Sequence, residues 1–307
     1  MPFGCERPPS ILTARTRLFP AVSTSRSEFV RIRGLRYHVR HWGEPGQPIL
    51  FLLHGLLDAS ATFAELVQPL RGVCRVIAPD WRGFGHSEWP ADGYWFPDYV
   101  ADFDALAAHY APDAPFWLAG HSMGGQAASL YAGLAPERIG KLVLLDSLFM
   151  PETPADAVTT RYRRWLQQLR MPMRAKTYAS FDALAERVRV QHPQLSAERA
   201  RFVAQGWGAE DGKHRVRLLA DPRHRLNMPM PYRSEDAMAI WRQVTAPTLF
   251  IDGGLSEGPR WIGADEQARR RGCFARHEQL SIAGAGHMLH FDAPLETGRA
   301  IAAFLQR

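Results

Sequence analysis

Long apolar runs, cysteine and lysine are all scarce in this chain of 307 residues. No stretch approaches the roughly 18 consecutive apolar residues that a bilayer crossing needs, because even the run from Pro48 to Leu53 stops at His54. No membrane span is therefore expected. The three cysteines, Cys5, Cys74 and Cys273, are too few and too dispersed for a disulfide framework or a zinc site. A reducing, cytoplasmic compartment fits them. Lysine occurs only at Lys141, Lys176 and Lys213, and the arginines that supply the remaining positive charge are scattered along the chain. The net charge of +6 then reflects arginine-rich composition rather than a basic face, and no nucleic-acid partner is expected.

What is present is a hydrophobic content of 46%, enough to bury a substantial core in one domain with room for an inserted subdomain. Residues 1–27 carry arginine, serine, threonine and proline with Glu6 as their one acid. They loosely resemble a transit peptide but lack a continuous apolar segment, and the expectation is a disordered extension. From Glu28 onward the pattern becomes regular. Phe29 to Ile32 and Leu35 to His41 read as strands on either side of Gly34, and the wholly apolar run at 48–53 reads as a strand buried on both faces. Further short, largely apolar runs lie at 74–78, 115–119, 142–145, 247–251 and 279–282. Most are separated by segments with helical spacing, such as 98–110 and 126–135, so a mostly parallel sheet flanked by helices is expected. Between Leu148 and Val244 the strand signal vanishes in favour of helix-like stretches at 157–169 and 181–190, with several prolines. That segment, 148–244, reads as a helical cap inserted into a core made of 28–147 and 245–307.

Gly120-His121-Ser122-Met123-Gly124 follows the run at 115–119 and opens a helical pattern. This is the strand-to-helix setting in which G-x-S-x-G forms a nucleophile elbow: glycines permit close backbone approach, and the serine sits exposed on a strained turn. Ser122 is the candidate nucleophile. A serine hydroxyl attacks poorly until a base takes its proton, and Gly284-Ala285-Gly286-His287, after the last apolar run, offers His287 as that base. His121 and His290 read as supporting neighbours. A tetrahedral intermediate needs backbone N–H donors, which would be those of Met123, after the nucleophile, and of Leu56, after His54-Gly55. The charged segment Asp80 to Ser87 reads as a hydrogen-bonded structural turn.

Together His54-Gly55, the 80–87 turn, the Ser122 elbow and Gly286-His287 resemble the α/β-hydrolase superfamily over roughly residues 28–306. Leu144-Leu145-Asp146-Ser147-Leu148 and the segment 218–226 further resemble the serine-hydrolase-like proteins and their bacterial relatives. The resemblance implies an eight-stranded, mostly parallel sheet with a helical cap. It also implies an aspartate a few residues after the strand ending Asp252-Gly253, where this sequence has Ser256. Three acids are candidates to complete a triad. Asp146 ends the preceding core strand, a position some related hydrolases use; Glu257 lies one residue past the usual place; Asp252 is the last residue of the strand itself. Asp146 is preferred, followed by Glu257 and then Asp252.

A serine nucleophile forms an acyl-enzyme, which suits esters or thioesters, whereas related dehalogenases and epoxide hydrolases attack with aspartate. The expected activity is ester cleavage on a small-molecule substrate. Two alternatives stay open: hydrolysis of a carbon–carbon bond in a ring-cleavage diketone, and a ligand-binding homologue that has lost catalysis. Trp165, Leu166, Leu169, Met171, Met173, Phe181 and Trp207 are available in the cap to roof a lipophilic pocket. No metal or nucleotide cofactor is implied. A monomer or homodimer is expected.

Overall fold

A computed structural model describes residues 25–307, so the expected extension lies outside the described residues as far as residue 24. Its boundary falls slightly earlier than the sequence pattern suggests, since Arg26 and Ser27 already belong to the first strand. The strands are β1 (Arg26–Ile32), β2 (Leu35–Trp42), β3 (Ile49–Leu53), β4 (Arg75–Pro79), β5 (Phe116–His121), β6 (Ile139–Leu145), β7 (Thr177–Tyr178), β8 (Gly208–Glu210), β9 (Val216–Leu218), β10 (Thr248–Gly253) and β11 (His277–Ile282). The helices are α1 (Phe96–Tyr110), α2 (Met123–Leu134), α3 (Ala157–Leu169), α4 (Phe181–Gln191), α5 (Ala197–Trp207), α6 (Ser234–Trp241), α7 (Gly258–Ile262), α8 (Ala264–Arg271), α9 (Leu289–Asp292) and α10 (Pro294–Gln306).

Eight strands form one sheet in the order β1-β2-β4-β3-β5-β6-β10-β11, in which only β2 runs against the others. The apolar runs explain this arrangement directly. In β3, Leu50 and Leu52 point to one face and Phe51 and Leu53 to the other, and all four are fully buried. One face packs with Tyr99 and Phe103 of α1, Ala127 and Tyr131 of α2, and Trp241 of α6. The opposite face packs with Ile301 and Phe304 of α10 and with Leu66 and Leu70. A strand covered on both sides has no use for polar alternation, which is why these strands read as continuous apolar runs.

Between β6 and β10 the chain leaves the sheet and returns. α4 and α5 pack against each other around Leu184, Val188, Ala200 and Val203, with Phe291 of α9 inserted from the core. Ser180 and Ser196 cap these two helices by accepting from the amides of Ala183 and Arg199, each at 3.2 Å. The absence of strands expected here is corrected by the small sheet β7-β9-β8. Two or three residues are too few to show alternation, and the β8–β9 turn is closed by Asp211, whose Oδ1 accepts from Lys213 N and Arg215 N.

Candidate active site

The parallel order β5-β6-β10-β11 delivers four chain segments to neighbouring positions along the carboxyl edge of the sheet. β5 ends at His121, and Ser122 sits between it and α2 with φ 51° and ψ −114°, a conformation that L residues seldom adopt. The turn is tight enough to exclude side chains on both sides. A Cβ on Gly120 would meet Gly124 O at 2.4 Å, and one on Gly124 would meet Leu53 O at 2.3 Å. Ser122 N donates to Leu145 O at 3.0 Å, tying the elbow to β6.

His287 lies on the loop after β11, its side chain 38% exposed. Its Nε2 is 3.0 Å from Ser122 Oγ, and its Nδ1 is 2.6 Å from Asp146 Oδ2. A carboxylate only accepts, so Nδ1 carries the proton and Nε2 is left bare toward the serine. Asp146 is fully buried one residue past β6, with φ 42°. Its other contacts come from β10 and beyond: Gly253 N donates to Oδ1 at 3.0 Å and Ser256 Oγ donates to Oδ2 at 2.6 Å.

Of the three candidate acids, Asp146 is thus the one brought to His287. Asp252 instead pairs with Arg271 at 2.6 Å, while burial raises its pKa against the opposing pull of that arginine. The Glu257 side chain is exposed at the start of α7. Ser256, which stands where the family pattern has its acid, orients the carboxylate supplied by the neighbouring strand. Sequence reasoning missed that role, for which residue type alone gives no signal.

The proposed oxyanion donors flank the serine. Gly55 lies so close that an added Cβ would stand 3.2 Å from Ser122 Cβ, and Leu57 turns the following chain away with φ 62°. Neither the Leu56 nor the Met123 amide donates to a backbone carbonyl within these turns. His54 fixes the loop from below, with Nδ1 donating to Gly55 O at 2.8 Å and Nε2 accepting from Trp81 N at 2.9 Å.

Two histidines support the constellation. His121 donates from Nε2 to His287 O at 2.8 Å, and burial first, then the nearby His290 and His287, holds it well below the usual imidazole range. It therefore stays neutral beside the His287 ring. His290 Nε2 is 2.8 Å from Asp58 Oδ2, and Asp58 also accepts from Thr62 Oγ1 at 3.0 Å and from Trp207 Nε1 of α5 at 2.8 Å. Burial opposes ionisation of Asp58, but His290 outweighs it and the pKa is lowered. Asp58, His121 and His290 are the group among the described residues that brings metal-type donor atoms together, within 4.8 Å of one another. The Asp58 oxygens are already committed to the three donors just named, so the group reads as a hydrogen-bonded network.

The 80–87 turn is held from within: Asp80 accepts from Ser60 N at 2.7 Å and His86 N at 2.9 Å, and its Oδ2 lies 2.7 Å from His38 Nδ1. Among the cap residues expected over a pocket, Trp207 lines a cleft with Leu57, whereas Leu166, Leu169, Met171 and Met173 are exposed.

A model of the alpha/beta hydrolase fold matches residues 48–294 of this chain. The 3-hydroxybutyrate-oligomer hydrolase of Cupriavidus necator is 32% identical over 237 residues, covering 73% of this chain and 77% of that protein. Esterase YbfF of Escherichia coli is 27% identical over 262 residues, covering 83% of this chain and 92% of that protein. Among solved structures, a thioesterase domain from the curacin biosynthetic pathway superposes with a TM-score of 0.80 at 23% identity, over 92% of this chain and 100% of that one, and so shares the fold.

Proposed function

The chain belongs to the alpha/beta hydrolase fold family, and we propose that within it this protein is a serine hydrolase that cleaves carboxylic esters through an acyl-enzyme. The observation that carries the reading is the single imidazole of His287, placed between the Ser122 hydroxyl and the Asp146 carboxylate. Ser122 Oγ attacks the ester carbonyl while its proton passes to His287 Nε2. The carbonyl oxygen becomes an oxyanion held by the amides of Leu56 and Met123. Asp146 stabilises the imidazolium, which then gives its Nε2 proton to the departing alkoxide. Water, deprotonated by His287, attacks the acyl carbonyl and releases the acid and free Ser122.

Ester cleavage is favoured by the relatives' names, one for hydrolysis of 3-hydroxybutyrate oligomers and the other simply an esterase. A ring-cleavage diketone would use the same three residues, and no separate observation favours it. The non-catalytic reading rested on the missing acid at Ser256; with Asp146 bonded to His287 it loses its support. We take 148–244 as the cap over this site. A fluorophosphonate probe and a series of 4-nitrophenyl esters of graded chain length test the proposal. Labelling and turnover are both expected, and both are expected to vanish in Ser122→Ala, with a fall on the order of 10³-fold or more. A Ser122→Ala protein that keeps a tenth of the activity refutes the mechanism.

A further inference from the structure

Between the cap and the core, next to the loop that carries Leu56, lies a cleft lined by Leu57, Asp58, Trp207 and three cationic side chains, Lys176, Arg187 and Arg225. The cations come from separate segments: the residue before β7, the middle of α4, and the turn at Pro222–Arg225. Three other arginines on or near these elements are paired with carboxylates. Arg189 pairs with Glu186 at 3.2 Å, Arg201 with Asp182 at 2.8 Å, and Arg223 with Asp221 at 2.6 Å. Lys176, Arg187 and Arg225 have no carboxylate partner among the described residues. The one acid lining the cleft, Asp58, is bonded to His290, Thr62 and Trp207. Three like charges lining one concave surface give it a positive potential that favours an anionic ligand.

The cleft is connected to the Ser122 region through the loop that follows β3. Leu57 is two residues beyond Gly55, which lies against Ser122, so at most about 8 Å of backbone separates the cleft lining from the residue that touches the nucleophile. We propose that this cleft binds a carboxylate carried by the ester substrate itself, so that the enzyme prefers anionic esters over neutral ones of the same size. The inference rests on the serine-hydrolase reading and adds the substrate class to it. The carboxylate is carried either on the acyl part or on the alcohol part, and the chemistry of recognition is the same.

Two matched pairs of esters separate these cases. On the acyl side, mono(4-nitrophenyl) glutarate is compared with 4-nitrophenyl pentanoate; on the alcohol side, the acetyl ester of 3-hydroxybutanoate is compared with that of 2-butanol, followed by proton release. In one pair, kcat/KM is expected to favour the carboxylated ester roughly 10- to 100-fold at low salt, the range for hydrogen bonds to charged groups. Because the cations are exposed, the preference is expected to shrink in 0.5 M salt, where the Debye length falls to a few ångström. The combined Lys176→Gln, Arg187→Gln, Arg225→Gln variant is expected to lower the carboxylated-to-neutral ratio by the same factor, and Arg189→Gln to leave that ratio unchanged. Equal or better turnover of the neutral ester in both pairs, or a preference that survives the triple variant, overturns the inference while leaving ester hydrolysis standing. If no ester of either kind is turned over, the serine-hydrolase reading fails and this inference falls with it.

Discussion

Replacing Asp146 with asparagine tests the triad with the smallest possible change of shape. The carboxylate receives three donors: His287 Nδ1 and Ser256 Oγ on Oδ2, both at 2.6 Å, and Gly253 N on Oδ1 at 3.0 Å. An asparagine oxygen serves only one of these sides. With that oxygen toward Gly253, the NH2 group faces His287 and forces the tautomer with bare Nδ1 and protonated Nε2, which cannot take the Ser122 proton. With the oxygen toward His287, the NH2 group opposes Gly253 N–H and leaves a buried donor unpaired, costing about 1–3 kcal/mol. The first arrangement therefore dominates, the productive tautomer is a minor fraction, and the charge that stabilises the imidazolium is gone in both. Asp146→Asn is expected to lower kcat on the order of 10⁴-fold. Steady-state hydrolysis of 4-nitrophenyl butyrate measures it, with a thermal melt to show that the fold persists. Retention of more than a tenth of kcat, or an equal loss in Glu257→Gln, refutes the assignment.

Ser256→Ala removes one of the three donors to Asp146 and leaves the charge, so a loss of only about 3- to 10-fold in kcat is expected, with recovery in Ser256→Thr. Asp252→Asn breaks the pair with Arg271, and the expected result is reduced stability in denaturant with kcat retained in the folded fraction. Asp58 and Asp80 both have pKa values lowered by histidine partners that outweigh their burial. Their stabilisation is full above the unfolded carboxylate value of about 3.9 and is lost as pH falls below it, by up to about 1.4 kcal/mol per pH unit for each, so melting temperature is expected to drop steeply below pH 4. A flat melting profile between pH 5 and pH 3 contradicts that.

The sheet was legible because its evidence is local. The central strands β3, β4, β5, β6 and β10 announce themselves as short, largely apolar runs, and G-x-S-x-G fixes its own geometry, since side chains at Gly120 and Gly124 would strike backbone atoms a few residues away or on the adjoining β3 loop. The strands of the segment 148–244 were not legible, for β7, β8 and β9 are two or three residues long and hold together only by pairing with one another. Ser256 and the Asp58–His290 pair were hidden for a different reason: their partners lie 110 and 232 residues away, so no window of sequence contains both ends.

The acid illustrates how topology converts an apparent defect into an equivalent solution. β6 and β10 are adjacent and parallel, with Leu145 in register with Ile251, so Asp146, the residue after β6, emerges level with Asp252 near the end of β10. A side chain one residue beyond β6 and another a few residues beyond β10 consequently reach the same point behind the His287 ring. Here they meet, with Ser256 Oγ and Asp146 Oδ2 separated by 2.6 Å. What the imidazolium requires at that point is one buried negative charge with its remaining lone pairs satisfied, and the strand that supplies it is immaterial to the electrostatics. A carboxylate at both positions would place two like charges in contact and raise the pKa of one of them, so an acid at 146 favours a hydroxyl at 256. The serine at the expected acid position is thus the complement of Asp146, and on the proposed mechanism it helps to hold the carboxylate that fixes the His287 tautomer.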